Sequence, residues 1–268
     1  MPHVKMNDRQ YLEKQYQDSS NLDVRIQLHQ RFSVNKVGWH PWVFCHFDLP
    51  PRCRILELGC SPGYFWLDNL ECIPPGWEII LSDFSAGMLE DTRQNLEMLR
   101  QFQYKVIDAQ SIPLESESFD AVIANHMLYH IPDRPAALAE IRRVLKPSGY
   151  FYATTVGDNH LAEIGDLITK FDVELTSWSR MADSFTLENG MAQLSPGFTK
   201  IKLYRYEDAL EITEVAPLVD YVLSGWAHIP LERQNQFREF VAREMESLGG
   251  TIHISKDSGL FVSVREGE

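Results

Sequence analysis

The chain has 268 residues, 44% hydrophobic and 24% charged, enough to bury a full core in one domain or in a domain with a cap. Acidic residues outnumber basic ones 38 to 25, for a net charge of −13; with no basic block, this argues against DNA or RNA as a partner, because phosphate binding needs clustered Lys and Arg. No apolar run approaches the ~18 residues of a membrane span, and the opening MPHVKMNDRQYLEKQYQD lacks a signal peptide's apolar stretch, so the expectation is a cytoplasmic protein with a small-molecule partner and no membrane span.

The first fifty residues read as helical and amphipathic. YLEKQYQD is followed by NLDVRIQLHQRF, with Leu22, Ile26 and Phe32 near the 3.6-residue period, and then by GWHPWVFCHF. Trp39 and Trp42, three apart, share a helix face. Pro50-Pro51 marks a break. Beyond it, apolar strands alternate with helical patterns. The strands are CRILEL, WEIILS, YKVIDA, FDAVIAN and GYFYATTV; the helices are SPGYFWLDNL, SAGMLEDTRQNLEMLR, DRPAALAEIRRVL and DNHLAEIGDLITKF. Such alternation implies βαβ units and a mainly parallel sheet with helices on both faces. Pro147-Ser148-Gly149 is expected to end a helix, with Gly just past it.

Past about Asp172, KIKLYRYEDALEIT reads as a long strand or hairpin, EVAPLVDYVLSGW and LERQNQFREFVAREMESL as helices, and TIHISKDSGLFVSVRE as a closing strand whose Ser-Gly signals a turn. The expected organisation is a helical lid over residues 1–50, an α/β core over 51–212, an inserted helical cap over 213–250 and a C-terminal strand, 251–268, completing the core sheet. Ligands of open α/β sheets bind outside the carboxyl ends of the strands, where such helices would lie.

Cys45, Cys53, Cys60 and Cys72 form no CxxC pair and have no His-rich surroundings, so no metal is expected. Cys53 and Cys60 flank a strand as small apolar fillers. Thiol-assisted metalloid methylation would need two or three convergent thiolates, and the four show no clustering in sequence.

The turn in RILELGCSPGYFW carries the functional question. Counted from Gly59, a dinucleotide fingerprint would put its second and third glycines at Ser61 and Tyr64. A Tyr at that third place obstructs helix–strand packing. Pro62 removes an N–H donor, and no Lys-Ser/Thr follows, so a P-loop is excluded. A pyrophosphate ligand, and with it a nicotinamide-dependent oxidoreductase, is disfavoured. What remains is Glu57 at a strand end, a turn with Gly59 and Gly63, and Asp83 at the next strand end, 20 residues beyond Gly63. A carboxylate there can accept two hydrogen bonds from a ribose diol. The third strand ends in Asp108-Ala109 and the fourth in Asn125-His126. Each is an ordinary turn or cap residue alone; together they line one edge of the sheet.

ILELGCSPGYFW, LSDFSAGMLEDTRQNL, VIDAQSIPLESESFDAVIANHMLYHIPD and EIRRVLKPSGYF, spanning about Arg54 to Tyr152, resemble the class I S-adenosylmethionine (SAM)-dependent methyltransferases, in the small-molecule branch that includes ubiquinone/menaquinone C-methyltransferases. The resemblance implies an α/β, Rossmann-like fold with a seven-stranded, mostly parallel sheet and a helical lid. Ser61 replaces the middle Gly of the usual E/D-x-G-x-G-x-G. By position, Glu57 through turn contacts, with Gly59, Ser61 and Gly63, would hold the methionine part of SAM. Asp83 would bind the ribose hydroxyls, Phe84 and Met88 the adenine, Asp108 and the Ala109 N–H the adenine edge, and the Asn125 carbonyl the methionyl ammonium.

Methyl transfer from a sulfonium is an in-line displacement whose leaving thioether needs no protein acid, so the chain's part is alignment, exclusion of water and at most a base. His130, in NHMLYHIPD, resembles a His found at the pocket mouth in this branch; His126 is the second candidate. Tyr16 or Arg25 could reach the SAM carboxylate from the lid. Trp178, Phe185, Tyr204, Tyr221 and Trp226 could wall the acceptor from the other side, while His29 and His228 have no assigned role. The expected activity is methyl transfer to a small, apolar or aromatic molecule, through O, N, C or S. The alternative is a SAM-binding protein of the same fold without methyl transfer, acting as a regulator or steering another reaction such as a cyclisation.

Overall fold

The computed structural model describes residues 20–96, 102–175, 184–226 and 229–267. The apolar runs of RCRILEL and GWEIILSD form β1 (Arg52–Leu58) and β2 (Gly76–Asp83), whose carboxyl halves are buried on both faces. Burial on both faces is what a central parallel strand requires. With β3 (Phe102–Val106), β4 (Phe119–Asn125), β5 (Leu145–Val156), β6 (Phe198–Ile212) and β7 (Ile252–Arg265), they build a seven-stranded sheet of order β3-β2-β1-β4-β5-β7-β6. The first five strands are parallel; β7 enters antiparallel between β5 and β6. Strand order reverses at β1 and β4, the place where open α/β sheets leave a crevice.

Helices cover both faces. On one, α5 (Arg134–Val144) packs Ile141 and Val144 with Val122 and Phe151, and the short α7 (Gly190–Leu194) adds Leu194 to the same core. Asp133 caps α5 by accepting from the Ala136 N–H at 3.0 Å. On the other face, α2 (Trp39–Phe44), α3 (Tyr64–Asp68) and α4 (Ala86–Asn95) pack Val43, Trp66 and Leu89 with Ile55 and Ile79. A third core joins α1 (Ser20–Phe32), α6 (Ala162–Phe171), α8 (Val215–Tyr221) and α9 (Gln234–Ser247) to the far part of β6 and β7 through Leu28, Ile168, Leu218, Phe237 and Ile254. Each such buried side chain contributes about 1.5–3 kcal/mol. Arg25 fastens α1 to the turn after α8, donating to the Ser224 carbonyl at 2.8 Å and to Ser224 Oγ at 3.2 Å.

Four local expectations change, and one is resolved. β7 runs straight through Ser258-Gly259: a Cβ on Gly259 would lie 2.6 Å from the Tyr204 carbonyl, so this glycine serves close approach of β6 rather than a turn. KIKLYRYEDALEIT lies within one strand, not a hairpin. α5 stops at Val144, and Pro147-Ser148-Gly149 lies inside β5, where Ser148, not Gly149, takes a left-handed φ of 64°. The SPGYFWLDNL helix starts only at Tyr64, after two left-handed turn residues. β3 ends at Val106, leaving Asp108 in the following turn, where its carbonyl accepts from the Ser111 N–H at 2.9 Å.

Candidate cofactor and acceptor site

The loop after β1 turns sharply because Gly59, Ser61 and Gly63 all take left-handed φ, at 71°, 51° and 80°. A serine pays for that conformation unless its surroundings hold it. They do: the Ser61 N–H donates to Asp83 Oδ2 at 3.1 Å, and the Ser61 carbonyl accepts from Thr92 Oγ1. Gly63 leaves no room for a side chain, since a Cβ there would lie 2.8 Å from Thr92 Cγ2.

Glu57 anchors the turn from beneath. It is 1% exposed, and its oxygens accept from Trp66 Nε1 at 2.5 Å and Asn125 Nδ2 at 3.0 Å. One carboxylate thus ties the end of β1 to α3 and to the end of β4. Burial pushes it up to about 7 despite those two bonds. Asp83, at the end of β2, accepts from the N–H groups of Ser61 and Ser85, the latter at 2.9 Å, and burial raises it to about 6. Each carboxylate oxygen has two lone-pair directions, so a diol can still be accepted beside these amides.

A cavity of about 1540 Å³ starts at this turn, lined by Glu57, Gly59, Ser61 and Asn125. It runs past His126 and His130 and ends among His29, His160, Tyr206 and Lys256, beneath α1.

Comparison with known proteins gives the same reading as this geometry. Residues 56–153 match the family described as a methyltransferase domain. The chain is 31% identical over 119 residues to a malonyl-[acyl-carrier protein] O-methyltransferase of Legionella pneumophila, covering 44% of this chain and 41% of that one. It is 37% identical over 97 residues to a demethylmenaquinone methyltransferase of Lactococcus lactis, covering 35% and 38%. The chain thus spans under half the length of these curated relatives. Among solved structures, a putative methyltransferase of Bacillus halodurans superposes with a TM-score of 0.60 at 13% identity, covering 85% of this chain and 99% of that one. A Haemonchus contortus phosphoethanolamine N-methyltransferase in complex with SAM superposes at 0.58 with 18% identity, covering 98% and 60%. Residues 56–153 thus carry a methyltransferase domain, and the fold is that of the class I methyltransferases.

The residues with expected cofactor roles divide into two groups. Glu57, Gly59, Ser61 and Asn125 line the cavity, while Gly63 lies behind it against Thr92 and Leu96. Asp83, Phe84, Asp108 and Ala109 lie off its wall, on or just past the neighbouring strand ends. Phe84 is 41% exposed, an open apolar face beside Asp83, and Asp108 is exposed while its Oδ1 accepts from the Gln110 N–H at 2.9 Å. Met88 is 1% exposed and packed inside α4's buried face, not open to a ligand as expected, which leaves Phe84 as the exposed apolar side chain beside Asp83. Arg25 lines the cavity but is engaged by Ser224, and Tyr16 lies outside the described residues.

His130 ends a short 3₁₀ turn and lines the cavity, its ring 4.4 Å from that of Tyr129. His126 has a left-handed φ of 48°, its N–H donates to Thr154 Oγ1 at 2.9 Å, and its ring lies 5.0 Å from Trp39. Burial, with repulsion from His40 and Lys256, pushes its imidazole down to about 3. Of the expected acceptor walls, Tyr221 and Trp39 line the cavity; Phe185 is core and Tyr204 stacks on His46 instead. Trp178, His228 and the Trp226 side chain lie outside the described residues. His160, Tyr206 and Lys256 line the cavity although no sequence motif marks them as site residues. Among the described residues, no group of His, Cys, Asp or Glu is placed to hold a metal ion, and no helix is long and apolar enough to cross a membrane. Cys53 and Cys60 are buried and free, filling apolar space as expected.

Proposed function

We propose that this protein transfers a methyl group from SAM to a small-molecule acceptor held in the cavity beneath α1. One observation carries the reading: a single cavity of about 1540 Å³ joins the glycine-bearing turn to a chamber walled by Trp39, Tyr206 and Tyr221. That exceeds the ~300–1,000 Å³ of a typical ligand pocket, leaving space for an acceptor beside the cofactor. When bound, SAM supplies an electrophilic methyl group whose thioether leaving group needs no acid. The turn from Gly59 to Gly63 and Asn125 would hold the methionine part, and Asp83, Phe84, Asp108 and Ala109 the nucleoside. The curated relatives are named for methylation of malonyl-[acyl-carrier protein] and of demethylmenaquinone, which supports a small or carrier-borne organic acceptor rather than nucleic acid.

Calorimetric titration tests the cofactor half. S-adenosylhomocysteine is expected to bind and NADH not to; the reverse would sink the reading. His130, at the cavity wall between the turn and the chamber, is assigned as the base for any proton the acceptor releases. His130→Ala is expected to lower kcat by about tenfold or more while S-adenosylhomocysteine binds unchanged. Unaltered turnover across pH 6–9 would remove it from acid–base chemistry.

A further inference from the structure

We infer that the acceptor carries an anionic group, a carboxylate or a phosphate, which docks among His29, His160 and Lys256 at the end of the cavity farthest from the turn. The inference rests on the methyl-transfer reading and names the acceptor class for that site. In the sheet, β7 lies three strands from β1, about 14 Å at the usual strand spacing. Its Lys256, with His29 from α1, His160 from the loop after β5 and Tyr206 from β6, forms the chamber's inner wall.

The acid at this wall is already engaged. Asp208 is the acid beneath it, and its side chain is 0% exposed. It is already used by Lys256 Nζ at 2.5 Å, Ser33 Oγ at 2.6 Å and the Asn35 N–H at 3.0 Å. The other acids lining the cavity are committed or outside: Glu57 serves Trp66 and Asn125, Asp68 pairs with His40, and Asp158 and Asp166 are exposed to solvent. Among the described residues, no carboxylate is hydrogen-bonded to the imidazoles of His29, His126 or His160. His160 Nδ1 accepts from the Asp257 N–H at 3.1 Å, which fixes the proton on Nε2 and makes that nitrogen a donor. His29 Nδ1 is buried with no hydrogen-bond partner among the described residues, and its ring is held edge-on to Tyr221 at 5.7 Å. Packing rather than a hydrogen bond orients it, so it can carry its proton on either nitrogen.

An anion gains more from these N–H donors than a neutral group does, and a cation is disfavoured beside Lys256. Burial and repulsion among the rings and Lys256 keep the three imidazoles uncharged, His29 and His126 at about 3 and His160 well below its usual value. A carboxylate or phosphate would accept from His160 Nε2 and drive proton uptake by His29, whose Nδ1 has no hydrogen bond to lose, converting a weak donor into a charge-assisted one. Trp39, 5.2 Å from Tyr206, provides the flat wall for the rest of such an acid.

The test is calorimetry on the full chain, with and without saturating S-adenosylhomocysteine, at pH 7.5 in two buffers of different ionisation enthalpy. The probes are phenylacetate, phenyl phosphate and the neutral phenylacetamide. At least one acid is expected to bind about tenfold or more tighter than the amide, with proton uptake, and the stronger of the two identifies the group. His29→Gln and His160→Gln are each expected to weaken that acid about tenfold and leave the amide and S-adenosylhomocysteine unaffected; retained S-adenosylhomocysteine binding certifies their fold. Equal binding of acid and amide, no acid binding at all, or tight acid binding indifferent to both variants overturns the inference. Failure of S-adenosylhomocysteine alone would overturn the methyl-transfer reading, with acid binding still read on the protein without it.

Discussion

Gly63→Ala is expected to lower the melting temperature by roughly 5–15 °C and to weaken S-adenosylhomocysteine about tenfold or more. Two costs combine. The φ of 80° is left-handed, and an alanine held there loses about 1–2 kcal/mol. The new methyl would also sit 2.8 Å from Thr92 Cγ2 and 3.0 Å from Leu96 Cδ1, overpacking that costs about 1–3 kcal/mol. Thr92 cannot retreat freely, because its hydroxyl donates to the carbonyls of Ser61 and Met88. Displacing it loosens Ser61, and with Ser61 the N–H bond to Asp83 that ties the turn to the end of β2. Stability and cofactor affinity therefore fall together. Gly165→Ala supplies the contrast, since Gly165 lies within α6 and an added Cβ meets nothing within 4 Å. There alanine should stabilise by about 0.5–1 kcal/mol through reduced freedom of the unfolded chain. Thermal melts and titrations that leave Gly63→Ala indistinguishable from the parent would contradict the role given to the turn.

The cofactor end of this site was legible because its residues lie on consecutive strands and the chemistry repeats at each strand end. FDAVIAN became β4 residue for residue, and Glu57 and Asp83 end up joined through the turn between them. The basic wall was not legible, for a topological reason. Tyr206, Lys256 and His160 are separated by up to ninety-odd positions, and only the insertion of β7 between β5 and β6 brings them together. The strand period did place Tyr204, Tyr206 and Asp208 on one face, but the register pairing Asp208 with Lys256 is a property of the sheet, not of either segment. Ser258-Gly259 misled in the same way. A local reading sees a turn dipeptide, while the reason for the glycine is the carbonyl of Tyr204 on the neighbouring strand. Burial decided the fate of Met88 and Phe185 likewise, since apolar residues give no sign in sequence of whether they face core or ligand.

The histidines that form the basic wall also set how the protein responds to acid. Its stability is expected to fall steadily as pH drops from 7.5 to 4. In the unfolded chain His29, His126 and His160 take up protons near 6.5; in the fold, burial holds the first two at about 3 and the third well below its usual value. Folded values depressed in this way contribute stability above 6.5 that is lost as pH falls toward 3. Glu57 and Asp83 work the other way. Raised to about 7 and about 6, they bind protons in the fold before they do in the unfolded chain, so acidification through that window favours the fold. Three depressed imidazoles set against two raised carboxyls leave a net loss of stability toward acid. Asp208, held below its usual value by Lys256 and Ser33, adds to the loss at the acid end. Urea midpoints at pH 7.5, 6, 5 and 4 measure the slope. His29→Gln, which removes one of the three rings, should flatten it, and so should a bound anion that shares its charge with the imidazoles. A midpoint that rises toward acid would mean that the carboxyls dominate and that the rings are already protonated in the fold.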